Sequence, residues 1–242
     1  MLLRCLKAEL QKCRRSPVWL AFVLLPVFPA ILGTVNYLGN IEVLGNAWYS
    51  LWSQHTLFSS MFFLPALLGV FCAWQWRLEH ADHNWNRFLT APVSRLDLCL
   101  AKLIWAAAVS LLAQAWIGVL FVLSGKLAGL SGPLPPELPG WLLCGAAGGV
   151  AVCAVQLYFS LVLRAFAPPV AFGLAGGIAG LMATAQGFGY LFPYSLLCIG
   201  MRANNPTMEL NLAPFLLSVC AYTAAFTLLA VWHLRRHDAA AE

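Results

Sequence analysis

The side chains best equipped for chemistry gather in residues 79–95, EHADHNWNRFLTAPVSR. Glu79, His80, Asp82 and His83 offer carboxylate and imidazole donors. A His-x-x-His spacing sets two imidazoles about one helical turn apart, which allows chelation. Zinc enzymes usually need a third protein ligand and an open position. His55, His233 and His237 are the remaining histidines, and none is an obvious partner. The stretch is neither His-Glu-x-x-His nor its inverse. A metal-dependent intramembrane hydrolase using Glu79, His80 and His83 is therefore the lesser reading, and no metal and no catalytic residue is expected.

Other chemistries have less support. The sequence contains no Gly-x-x-x-x-Gly-Lys-Ser/Thr, and the lone SGKL at 124–127 lacks the first glycine and the hydroxyl. No Gly-x-Ser-x-Gly elbow appears. No pair of carboxylates lies within an apolar run to do acid–base work or carry protons.

The pattern around the polar stretch explains it differently. Leu78, Ala81, Trp85, Phe88 and Leu89 recur at helical spacing and predict one apolar stripe. Glu79, His83, Asn86 and Thr90 fall away from it, on a face expected to meet the cytosol. Pro92 stops the helix near Thr90. Ser94 then suits an N-cap, with Asp97 three residues on. A short amphipathic helix, a proline break and a capped helix predict a structured elbow over 77–95. Such an elbow can dock a protein, or it can rest on lipid and on neighbouring helix ends.

The elements that must hold this elbow are membrane spans. The chain has 242 residues, 61% hydrophobic and 10% charged, with mean hydropathy +0.78. Soluble domains carry about a quarter charged residues. An all-α polytopic membrane protein is expected, as a single transmembrane unit over residues 1–242. Apolar runs predict six transmembrane helices, at about 17–36, 55–76, 96–123, 141–164, 169–190 and 212–233. Residues 36–54, 124–140 and 192–211 read as loops. The opening segment, 1–16, predicts an amphipathic interface helix with Leu3, Leu6 and Leu10 on one face. Its bases and following apolar run resemble a signal peptide, but no small-x-small site follows, so it is read as retained. Ser16 and Pro17 suit the N-cap and first position of the first span.

Charge sets the orientation. Alternating six spans places Arg4, Lys7, Lys12, Arg14, Arg15, Arg77, Arg87, Arg95, Lys102, Arg164, Arg235 and Arg236 on one side, and Lys126 and Arg202 on the other. This asymmetry predicts cytoplasmic N- and C-termini and a cytoplasmic elbow. The net charge of +5 carries no nucleic-acid signal in such a chain. The eight cysteines form no Cys-x-x-Cys pair and read as small apolar residues in helices.

Glu79, Asn-Trp-Asn, FLTAPVSR and then LAK resemble the cytoplasmic elbow of type-2 ABC exporter permeases, above all the lantibiotic-immunity permeases. LKAELQKCRRSPVWL resembles that family's opening segment. The resemblance implies that Glu79, Trp85, Asn86, Arg87, Phe88, Leu89, Pro92, Ser94 and Arg95 form a coupling helix and its exit, with Lys102 at a further matching position. It implies docking to a separate cytosolic ABC ATPase, which would hold ATP and Mg, with no cofactor in this chain. It further implies a second permease subunit, identical or related, a place in the bacterial cytoplasmic membrane, contact with membrane lipid, and export of an antimicrobial peptide or similar amphipathic compound. The rival from the structural class is a membrane scaffold whose elbow recruits a cytosolic protein without transport.

Within the spans, Gly145 and Gly149, and Gly173, Gly176, Gly177 and Gly180, fall at four-residue spacings that let helix backbones approach. They predict packing of the fourth span on the fifth. Gln114, Gln156 and Gln186 read as interhelical hydrogen-bonding groups, or as lining of a transport path. No base or acid is expected deep inside a span.

Overall fold

A computed structural model describes residues 1–14, 16–45, 47–80, 93–163 and 165–236. It is helical, with no strand among the described residues. The short helix α1 (Leu2–Cys13) comes first. Six helices are long and apolar enough to cross a membrane: α2 (Val18–Gly39), α3 (Trp48–His80), α4 (Arg95–Leu127), α5 (Leu138–Leu163), α6 (Ala167–Ala185) and, after the short α7 (Ser195–Gly200), α8 (Leu212–Arg236). The chain is thus an all-α, six-span, multi-pass membrane protein. The coupling helix itself, with Trp85, Asn86, Arg87, Phe88, Leu89 and Pro92, lies outside the described residues.

Several predicted boundaries move: the fifth span, expected to reach 190, ends at Ala185, and residues 195–200, expected in a loop, form α7. Residues 48–54 were expected in a loop but continue α3, and residues 124–127 continue α4. Each helix then has 33 residues, roughly 50 Å against a hydrocarbon core of about 30 Å. Packing overrides the polar composition there. Trp48 and Trp52 bury their rings against Phe121, at centroid distances of 5.3 and 4.9 Å, and so hold the extra turns.

Inside α3, Ser59–Phe63 form a π-helical turn just before Pro65. Pro65 has no N–H to offer the carbonyl four residues back, and the wider turn accommodates its ring. That carbonyl belongs to Met61, and Gly177 of α6 lies against it. A Cβ built on Gly177 would sit 2.3 Å from the Met61 oxygen.

The glycine expectation is corrected by these contacts. Gly173 and Gly177 meet Pro65 and Met61 of α3, while Gly176 and Gly180 meet Tyr194 just before α7. Gly173 also meets α5, through Gln156. Gly145 and Gly149 meet Gln114 and Ser110 of α4. Small residues do permit close approach, but their spacing does not name the partner helix.

The N-terminal helix is also turned differently from the simplest amphipathic picture. Its bundle-facing residues are Cys5, Glu9 and Cys13. Leu3 and Leu10 point away from the bundle.

Candidate functional site

The described flanks of the elbow meet over a buried ion cluster. On one side α3 ends with Glu79 and His80. On the other, Ser94 caps α4, its Oγ accepting the Asp97 N–H at 3.0 Å, as the Ser-x-x-Asp spacing predicts. The serine oxygen satisfies one of the first amides of α4 and so fixes where the helix begins. Arg95 then opens the helix. Two turns on, Lys102 points into the bundle and is 0% exposed.

Lys102 Nζ donates to Glu79 Oε1 at 2.8 Å, to Glu9 Oε1 at 3.2 Å and to the Gln75 carbonyl at 3.0 Å. Its ammonium also stands 4.9 Å from the Trp76 ring centroid. Gln75 returns a bond to the Lys102 carbonyl at 3.3 Å. Lys12 completes the group, donating to Glu9 Oε1 at 2.7 Å and also to Glu79 Oε1. Two ammonium groups thus balance two carboxylates from α1 and α3. Three segments separated by 67 and 93 residues are joined at one point.

The charges set one another's state. Burial lowers the Lys12 pKa, but the Glu9 and Glu79 carboxylates outweigh it and hold the ammonium above its usual value. Cys13, beside the cluster on α1, has its thiol pushed up to about 11 by burial, which leaves it a protonated, unreactive packing residue. Two indoles fasten the same helix. Trp105 donates to the Leu6 carbonyl at 3.1 Å and Trp19 to the Cys13 carbonyl at 2.7 Å.

Two expectations are corrected here. Glu79 was expected on an exposed face, away from the apolar stripe, but it is 4% exposed and held by two lysines. Lys102 was counted as a boundary base, and no base was expected deep inside a span. The helix direction at Lys102 carries its stem inward, and the carboxylates compensate the lost hydration. Glu9 and Lys12 drew no functional attention in the sequence. The signal that could have found them is Lys102 itself: a lone base seven residues into an apolar helix requires acceptors.

The metal reading gains no support. Among the described residues no three His, Cys, Asp or Glu side chains gather as a metal site. Glu79 is already engaged by two ammonium groups, and Asp82 and His83 lie outside the described residues.

The three span glutamines have different surroundings. Gln114 is fully buried beside Gly145 and Met201, and neither amide atom has a hydrogen-bond partner among the described residues. Gln156 donates to the Tyr194 hydroxyl at 2.9 Å. Gln186, expected within the fifth span, is corrected: it is exposed and lies just beyond Ala185, where α6 ends.

At the opposite end of the bundle lies a hollow of about 770 Å³. Tyr49, Glu137, Trp141, Arg202, Met208 and Glu209 are among its lining residues. The Tyr49 hydroxyl donates to Glu137 at 2.7 Å, and the Arg202 guanidinium to the Gly200 carbonyl at 2.6 Å. Arg202 itself adopts a left-handed backbone, φ 51°.

Comparison with known proteins follows this geometry. A family model described as "ABC-2 family transporter protein" matches residues 5–180. The bacitracin transport permease protein BCRB of Bacillus licheniformis is 26% identical over 138 residues, 55% of this chain and 65% of that protein. The match therefore spans less than two thirds of that relative's length. No solved structure matches the chain.

Proposed function

The chain belongs to the ABC-2 family of transporter proteins, and from that premise we propose that it is the membrane-spanning permease subunit of an ATP-driven exporter. The 242 residues contain no phosphate loop, so ATP and Mg are assigned to a separate cytosolic ATPase subunit. The elbow between α3 and α4 is the docking element for that subunit. The crowding of bases at its end of the spans supports a cytoplasmic side for the elbow and both termini, in the bacterial cytoplasmic membrane.

One observation carries this reading. The Glu79–Lys102 pair, 2.8 Å long and buried, ties the two flanks of the elbow together, and Glu9 and Lys12 tie both to α1. A push on the elbow then moves α1, α3 and α4 as one body instead of bending a loop. A second permease, identical or related, completes the pathway. The most hydrophobic windows of α2, α6 and α8 are only 33%, 28% and 22% buried within this chain, which leaves apolar surface for lipid and for that subunit.

The cargo reading rests on likeness. BCRB is named for bacitracin transport, and by analogy the cargo here is an antimicrobial peptide, lantibiotic-like, or a similar amphipathic compound expelled for resistance. The hollow at the far end is in the size range of ligand sites, about 300–1,000 Å³. Its lining pairs Glu137, Glu209 and Arg202 with Trp141, Met208 and Leu210, which suits a compound both charged and apolar.

The test is co-expression with candidate ABC ATPases, sought first among the genes neighbouring this one. Wild type is expected to co-purify with it, to have its hydrolysis stimulated by cargo peptide, and to confer resistance to bacitracin or a lantibiotic. Glu79→Lys, which adds a third ammonium to the cluster, is expected to abolish stimulation. The swap Glu79→Lys with Lys102→Glu is expected to restore part of it. Full stimulation and resistance in Glu79→Lys alone would sink the coupling reading.

A further inference from the structure

Helix α1 has three faces. Cys5, Glu9 and Cys13 point into the bundle. Leu3 and Leu10 point out, 74% and 43% exposed. At about 100° per residue, these leucines lie roughly 110° around the helix from the inward face. Lys7 and Arg14 come roughly 40° further round, with Arg4 beyond them, and all three are exposed. Their charges have no ion-pair partner among the described residues, whereas Lys12, on the inward side, contacts two carboxylates.

The level of this helix is set by its anchors. Trp19, near the start of α2 where interfacial tryptophans sit, and Trp105, ten residues into α4, both bond to carbonyls of α1. An exposed leucine face beside an unpaired cationic edge, held at the end of a membrane bundle, matches one environment. The leucines fit the acyl boundary and the long basic side chains reach the head-group layer. The charge complement of that edge is phosphate.

We propose that the outer edge of α1 docks anionic phospholipid headgroups through Arg4, Lys7 and Arg14, and that this occupancy biases the elbow through Glu9 and Lys12. The route is short. Lipid holds one side of α1, and the opposite side shares its carboxylate and ammonium with Glu79 and Lys102. Drawing α1 toward the membrane plane therefore loads the ion cluster at the elbow's base. The regulatory half rests on the transport reading; the binding half does not.

The experiment uses the full chain in phosphatidylcholine vesicles containing a minor fraction of phosphatidylglycerol. Brominated acyl chains on one lipid or the other quench nearby tryptophans, Trp19 and Trp105 among them. Wild type is expected to favour brominated phosphatidylglycerol by about fivefold or more, the order expected for even one cation at an anionic surface. Arg4→Gln with Lys7→Gln and Arg14→Gln is expected to lose that preference while keeping its quenching by phosphatidylcholine. Equal quenching by the two lipids in wild type overturns the proposal.

A second arm uses the chain assembled with its ATPase. Hydrolysis should rise with the phosphatidylglycerol fraction in wild type and stay flat in the triple variant. Glu9→Gln should keep the lipid preference but lose the dependence of hydrolysis on lipid. If the preference stands and no ATPase assembles, the transport reading fails and the lipid site survives. If the triple variant keeps the preference but loses the ATPase, those cations serve a protein partner and the proposal is overturned.

Discussion

At one end of the bundle, α1, α3 and α4 meet through two carboxylates and two ammonium groups in a buried, charge-balanced cluster. At the other end, aromatic rings do the holding. Trp52 stacks on Trp141 at 5.2 Å, and Phe121 stands edge-on to Trp48 and Trp52. Two indoles there bond to backbone, Trp52 to the Met201 carbonyl and Trp48 to the Gly132 carbonyl, both at 2.9 Å. Ring packing is short-ranged and indifferent to charge. Ion pairs among long side chains have several near-equivalent partners, because both lysines address both glutamates. On the proposed transport reading, a junction of ion pairs suits an end that shifts under load, and ring packing suits a fixed rim around the hollow.

The largest effect is expected at the aromatic end. Trp52→Ala removes a fully buried ring and leaves the Met201 carbonyl without its donor. The expected cost is about 5 kcal/mol, from cavity and lost hydrogen bond together. It should appear as a large drop in the thermal midpoint of detergent-solubilised protein, and no charge substitution elsewhere should restore it. A small shift would mean that the rim is not what fixes this end.

The ion cluster should answer differently. Lys102→Met strands two buried carboxylates on one remaining lysine, at a cost of about 3 kcal/mol. Adding Glu79→Leu removes the stranded charge with its partner, and the double variant is expected back within about 1.5 kcal/mol of wild type. Equal losses in the single and double variants would show that packing, not charge compensation, holds the elbow end. Transport and ATPase stimulation should stay low in the double variant even where stability returns.

A smaller effect is expected at the rim of the hollow. Tyr49→Phe deletes the bond to Glu137, an exposed interaction that water can replace. Thermal melting should barely move. A loss of cargo-stimulated hydrolysis in that variant, with stability intact, would draw the hollow into the transport path.

The smallest effect is a pH dependence at α1. The folded-state pKa of Lys12 is raised above its ordinary value of 10.5 by Glu9 and Glu79, against burial. A raised pKa means stabilisation that is full below 10.5 and fades as pH climbs through the higher folded value. Trp19 and Trp105 bond to α1, so tryptophan emission should hold steady through neutral pH and shift to longer wavelength only above about pH 10.5. Lys12→Met should remove that alkaline step. A step at neutral pH would point to a different titrating group.

Much of the site was legible as pattern and little of it as contact. Ser94 with Asp97 announced the start of α4 because capping is local, decided within three residues. Gly177 announced close approach but not its partner, since a missing Cβ fits any backbone; here the Met61 carbonyl, freed by Pro65, took the place. Glu79 was read from its angle relative to an apolar stripe, which assumes water on the polar side. Two lysines from elsewhere in the chain fill that side instead.

The sequence by itself determined six apolar helices, the segregation of bases to one end and the capped entry into α4. Each of these follows from composition, spacing or capping within a few residues, where local free energies decide. Only the tertiary structure decided that Lys102 turns inward, that α1 carries Glu9 and Lys12 to the ends of α3 and α4, and that α3 runs on to Trp48. Those outcomes depend on desolvation and packing between segments up to 93 residues apart. An unpaired charge or an unpacked ring is costly, and the fold alone brings the partner that removes the cost.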